Sequence, residues 1–75
     1  MGQPLTITNQ TNRDIWVEWW TPGFVFKVYA YNIKANSSRT ETLEAVWYDI
    51  KIIDGGKQHT ATFYGGASSH WYYDG

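Results

Sequence analysis

The chain contains no cysteine, which excludes disulfide staples and thiolate metal sites and leaves stability to aromatic packing, sheet closure or oligomerisation. A reducing cytosol and many secreted bacterial and fungal proteins share that absence, so the compartment stays open. Charge is sparse as well. Six basic and seven acidic residues leave a net charge of −1, and no run of Lys or Arg exists to neutralise a phosphate backbone, which argues against a nucleic-acid partner. No segment approaches the roughly 18 apolar residues that span a bilayer, which argues against membrane insertion. The N-terminus also lacks the basic-then-apolar layout of a secretory signal, so the chain as given reads as soluble.

Helix signals are scarce too. The one window with helix formers and no turn residues, 39–46, carries too many threonines and no apolar face, so it reads as a strand. What the chain has in quantity is aromatic residues: five Trp, six Tyr and three Phe, or 19% of its 75 residues. A domain of this size exposes roughly 4,700 Å² folded against roughly 12,600 Å² unfolded, so only about 60% of its surface is hidden. Aromatics that each bury on the order of 150–250 Å² substitute for the missing disulfides.

Segments rich in Val, Ile, Thr, Tyr, Phe and Trp alternate with period two between Asn, Gly, Pro and Ser clusters, the pattern of an all-β chain. Strands are expected over 5–9, 14–20, 24–33, 39–44, 46–54, 57–64 and 69–73. Thr21-Pro22-Gly23 is a type II turn signal, Asp54-Gly55-Gly56 a tight hairpin, and Gly65-Gly66-Ala67-Ser68 a further turn. The ten-residue third segment calls for a bulge or bend. In the fourth, Leu43 is the main anchor and the charges suit a sheet edge. In the fifth, Val46, Tyr48, Ile50 and Ile52 are expected inward, and Trp47, Asp49 and Lys51 outward. The expected fold is one domain over 1–75: a small antiparallel β-sandwich or barrel of six to seven short strands with no substantial helix.

The second segment, Asp14 to Trp20, stands out because it is bulky on both sides. Alternation sends Ile15, Val17 and Trp19 to one face and Trp16, Glu18 and Trp20 to the other. One face belongs to the core; the other needs a partner.

The stretch from Ile7 to Trp19, with Asn9-Gln10-Thr11-Asn12-Arg13 followed by Ile15-Trp16-Val17, resembles the opening of von Hippel-Lindau-type β-domains and related small sandwiches. Arg39 to Gly55, with Val46-Trp47 and then Ile53-Asp54-Gly55, is similar to a later strand pair of that domain. The resemblance covers about half of the chain and implies an antiparallel β-sandwich. In that family the domain recognises a hydroxylated proline peptide through a Trp that resembles Trp47. The positions similar to the family's histidine and serine carry Ala45 and Glu41 here.

Catalytic constellations are absent from the pattern. His59, His70, Ser68, Ser69 and scattered carboxylates supply the residue types of a triad, but no glycine-framed serine sits at a strand-to-helix elbow. The histidines lack metal-ligand spacing: His59 reads as a surface strand residue and His70 as part of the aromatic tail. Glu18 and Asp49 read as solvated charges rather than a glycosidase pair. Neither Gly55-Gly56 nor Gly65-Gly66 precedes a helix that could cradle phosphate. No cofactor or metal is expected, and no enzymatic activity. Met1-Gly2 with Thr6 matches a minimal myristoylation pattern, although Thr6 falls inside the expected first strand. Asn9-Gln10-Thr11 and Asn36-Ser37-Ser38 are glycosylation sequons in expected turns.

Aromatics interleaved with carboxylates fit sugar recognition, in which a pyranose stacks its C–H face on Trp or Tyr and its hydroxyls meet planar polar groups. The expected function is therefore a non-catalytic, lectin-like carbohydrate-binding module, multivalent as a homo-oligomer. Trp16, Trp20 and Trp47 would be stacking platforms, Glu18 and Asp49 would take hydroxyls, and Trp71 and Tyr72 would add a further platform. Two alternatives use the same aromatics: a protein-interaction or self-assembly surface, and a lipid-surface binder.

Overall fold

The computed structural model describes residues 3–43, 47–64 and 69–75. Seven strands carry the fold: β1 (Gln3–Asn9), β2 (Ile15–Trp20), β3 (Lys27–Ile33), β4 (Ser38–Leu43), β5 (Trp47–Asp54), β6 (Lys57–Tyr64) and β7 (Ser69–Tyr73). The described residues include no helix. The strands form a three-stranded sheet, β4-β1-β7, and a four-stranded sheet, β3-β2-β5-β6. The expected placements of Val46 and of the 65–68 turn, the Leu43 side chain as an anchor, and the myristoylation pattern at Gly2 lie outside the described residues.

The four-stranded sheet is antiparallel throughout, but β1 pairs with β7 in parallel. A chain that turns back at every connection regains its first direction at its seventh strand. The odd-numbered β1 and β7 therefore run the same way, and because this topology places them side by side they pair in parallel, a departure from the purely antiparallel expectation.

Period-two burial places the core where the sequence does. Ile15, Val17 and Trp19 of β2 are buried, and Trp16, Glu18 and Trp20 are half-buried on the opposite face. Leu5 and Ile7 of β1 meet Ile15, Val17, Trp19, Ile33, Tyr48, Ile50 and Ile52 across the layers, and Tyr73 closes the set. Trp19 is fully buried, with Tyr29 and Tyr48 edge-on to it at ring separations of 5.6 and 6.0 Å. Burying one such side chain contributes on the order of 2–3 kcal/mol. The folded surface of 4410 Å² is close to the area expected for this mass.

The turns follow their chemistry. Phe24 N–H donates to the Thr21 carbonyl at 2.9 Å while Gly23 holds φ 78°, as a type II turn with Pro at its second position requires. Asp54 pairs with Lys57 across Gly55-Gly56, and Gly55 at φ 59° matches the first central position of a type II′ turn. The third strand starts later than expected, at Lys27, because Phe24 sits at φ 58° and stops the extended run. The expected bulge is present: Trp19 pairs with Tyr29 but Trp20 with Lys27, which leaves Val28 as the extra residue.

Between β1 and β2 the polar Asn9-x-Thr11-x-Arg13 stretch locks the layers together. The fully buried Asn9 amide donates to the carbonyls of Arg13, Ile33 and Lys34, and its oxygen accepts from the Thr11 N–H and hydroxyl. That side chain has no surface left for a glycan, so in the folded protein the Asn9 sequon is closed, whereas Asn36 is exposed. Arg13 clamps Asp54 through two bonds of 3.1 and 2.7 Å, and the Tyr73 hydroxyl donates to the same carboxylate at 2.7 Å. The Arg13 and Tyr73 bonds hold the buried Asp54 carboxyl well below the usual carboxylate range.

Candidate functional site: the outer face of the four-stranded sheet

Strand register brings together on one outer face residues that are far apart in sequence. Trp16 lies beside Asn32 and Ile53, Glu18 beside Ala30 and Lys51, and Trp20 beside Lys27 and Asp49. Trp47 sits two residues beyond Asp49 on the same face and pairs with Tyr64 of β6.

Glu18 organises the centre. Its two neighbours on that face are both tryptophans, and both turn their indole N–H groups onto it: Trp16 Nε1 donates to Oε2 at 2.9 Å and Trp20 Nε1 to Oε1 at 3.0 Å. An ionised carboxylate is acceptor-only and an indole donor-only, so a W-x-E-x-W strand satisfies all three groups without a further element. The Trp16 bond is the main influence lowering the Glu18 pKa, with Trp20, Lys27 and Lys51 acting in the same direction against burial. Lys27 Nζ lies 3.9 Å from the carboxylate. Lys27 and Lys51 also stand over the Trp20 ring at 5.8 and 5.6 Å, and Phe24 packs against it at 6.1 Å. The result is two indoles of fixed orientation with a carboxylate between them and cations beside one.

Asp49 has a different place. It is buried, and its oxygens accept from Gly23 N–H at 2.6 Å and Thr62 Oγ at 2.7 Å. That carboxylate ties the β2–β3 hairpin to the sheet. Trp47 is exposed, at 6.3 Å from the Tyr64 ring. Trp71 faces the interior, packed against the core and 5.5 Å from Phe63. Tyr72 points outward from the three-stranded sheet, on the far side of the molecule. There it accompanies His70, which stacks on it at 3.8 Å and bonds Thr8 at 2.7 Å. Of the seven residues singled out from sequence, Trp16, Glu18, Trp20, Trp47 and Asp49 share one face, and Trp71 and Tyr72 lie away from it.

Pattern reading missed Phe24, Lys27 and Tyr64 as neighbours of this face, because their place depends on pairing between strands; Lys51 has the outward phase expected for it, beside Trp47 and Asp49 on β5, but pattern reading does not single it out for the site. His59, expected at the surface, belongs to the inner face: its ring packs edge-on to Tyr73 at 5.2 Å and its Nε2 is buried without a hydrogen-bond partner. Alternation groups His59 with Ala61 and Phe63, and which group turns inward is set by the sheet that covers it. Of the three positions similar to the peptide-recognition residues of von Hippel-Lindau-type domains, the two that lie among the described residues, Trp47 and Glu41, are on different sheets. Glu41 stands on β4 beside Arg39, at 3.7 Å.

Elsewhere, an open cleft of about 630 Å³ is lined by Arg13, Asp14, Asp54, Gly55, Gly56 and Lys57, but its Arg13 is already engaged by Asp54. Among the described residues no group of three or more His, Asp or Glu could hold a metal, and no helix is long and apolar enough to cross a membrane. No protein-family model, curated protein or solved structure matches this chain.

Proposed function

We propose that the protein is a non-catalytic, lectin-like carbohydrate-binding module that takes a glycan on the outer face of its four-stranded sheet. The observation that carries this reading is the pair of indoles held by one carboxylate, Trp16 and Trp20 on Glu18. Rings fixed before binding lose little freedom when a pyranose stacks on them, which is the main cost a shallow site must offset. Each Glu18 oxygen keeps a second lone pair for a sugar hydroxyl. Lys51, Asn32 and Gln58 share the face through the strand register and add polar groups. Trp47 with Tyr64 extends the aromatic surface onto β5 and β6. Asp49 serves this site from below, by fixing the hairpin that bears Phe24.

A glycan array probed with wild type and Trp20→Ala tests the proposal. The wild type should bind at least one class of glycan and the variant should lose it; a wild type that binds none refutes it. The exposed Trp47–Tyr64 pair also favours a second reading, self-assembly through this face. Sedimentation of a strict monomer at high concentration counts against that version.

A further inference from the structure

Each sheet ends in two edge strands, and three of the four carry features that discourage pairing with another chain. β3 starts with Lys27 and is bent by the bulge at Val28, β4 carries Arg39 and Glu41, and β7 has only five residues. β6 has none of these devices. Its eight residues, Lys57 to Tyr64, run against β5 without a register shift, include no Pro, Asp, Glu or Arg, and place their one lysine at the first position.

The hairpin fixes which backbone groups of β6 point away from the sheet. Asp54 and Lys57 flank the two-residue turn and so form a hydrogen-bonded pair, after which bonded and unbonded pairs alternate. The N–H and C=O groups of Lys57, His59, Ala61 and Phe63 therefore serve β5, and those of Gln58, Thr60, Thr62 and Tyr64 face outward along the edge. Among the described residues no backbone bond engages that side.

We infer that this edge pairs with the same edge of a second copy, antiparallel about a two-fold axis at Ala61, and joins the two four-stranded sheets into one. The strand selects this occupant because it is complementary to itself. In that register Thr60 of one copy lies opposite Thr62 of the other, and Gln58 opposite Tyr64, so every outward backbone group meets an outward group of the second copy. Moving the axis to Thr60 or Thr62 leaves an end residue without its counterpart. Ala61, the smallest side chain of the strand, falls on the axis, in an unbonded pair, where opposed residues approach most closely. Tyr64, 63% exposed in the single chain, gains a cross-strand neighbour in glutamine. Lys57 lies beyond the paired span, so no like charges meet. Because the other edges are guarded, pairing closes at a dimer instead of propagating. The axis stands perpendicular to the sheet, which puts the outer faces of both copies on the same side. The contact is a strand edge and needs no ligand.

Sedimentation of wild type from micromolar to near-millimolar concentration should show a monomer–dimer equilibrium. Thr60→Lys, which gives this edge a charge of the kind that guards the others, should weaken dimerisation at least about tenfold. Thr42→Lys on β4 should leave it unchanged. Since the chain has no cysteine, single introduced thiols report the register. Ala61→Cys should cross-link to its own copy under mild oxidation, whereas Thr60→Cys, whose two copies sit diagonally about 7–8 Å apart, should not. That readout decides the matter even if Thr60→Lys folds poorly. A wild type that stays monomeric throughout, its edge left to a strand of some other chain, overturns the inference. So does a dimer that folded Thr60→Lys leaves intact, or cross-linking through Thr60→Cys in place of Ala61→Cys.

Discussion

Glu18→Gln is the perturbation that asks most of the indole clamp. The wild-type carboxylate accepts two indole N–H bonds with only 13% of its side chain exposed. Glutamine offers one oxygen and an amide donor, so one indole keeps a neutral bond and the other faces N–H against N–H. A hydrogen bond to a charged group contributes about 1.5–3 kcal/mol. The indoles are half-buried, so water recovers part of the loss; discounting for that access leaves about 1–2 kcal/mol. For a domain of this size that lowers Tm by roughly 5–15 °C. Glu41→Gln, which removes a carboxylate 3.7 Å from Arg39 on the other sheet, is the control and should cost less than about 0.5 kcal/mol. Thermal and urea unfolding give the stability change. The side-chain indole resonances give the mechanism: two of them should shift together in Glu18→Gln. The same two should move in wild type as pH falls through the depressed Glu18 pKa. The sign follows from that depression: the clamp's stabilisation is complete above the ordinary glutamate pKa and is lost as pH drops through the lower folded value. An unchanged Tm with no paired indole response refutes the clamp.

Asn9→Ala should cost about 3 kcal/mol or more in urea unfolding, because it leaves carbonyls of three residues and the Thr11 N–H without their buried partner. The Tyr73 hydroxyl is pushed up to about 12 by burial first and by its bond to Asp54 second. Its contribution is full below the ordinary tyrosine pKa of about 10 and is lost as pH rises through the folded value. Alkaline unfolding of wild type should therefore show a step that Tyr73→Phe lacks. Trp47→Ala should weaken glycan binding roughly tenfold, a loss of about 1.4 kcal/mol, and change Tm little, because the ring is 37% exposed and outside the core.

Much of this architecture is legible in the chain because period two is unambiguous where one face is strongly apolar. Ile15, Val17 and Trp19 inward with Trp16, Glu18 and Trp20 outward follow from alternation alone, as does Tyr48-Ile50-Ile52. Thr21-Pro22-Gly23 announces its own turn. What escapes is whatever depends on a partner strand. Asp49 has the outward phase of a solvated acid, and its burial arises only when Thr62 of β6 and the Gly23 N–H close over it. Trp71 and Tyr72 are adjacent in a run of aromatics, so composition cannot say which turns inward; pairing with β1 sends Trp71 to the core. The parallel β1–β7 pair is likewise a property of the whole chain path. The clamp lies between these cases. Its W-x-E-x-W spacing is visible, but that both indoles turn their N–H groups onto the one carboxylate is a matter of rotamers.

The most direct test of the binding face is a titration of the protein with cello-, chito- and manno-oligosaccharides, followed through the five indole N–H resonances. Glycan recognition on the outer face predicts that at least one series shifts the resonances of Trp16, Trp20 and Trp47 and leaves those of buried Trp19 and inward Trp71 in place. Shifts confined to Trp71, or no indole response to any series, would contradict it.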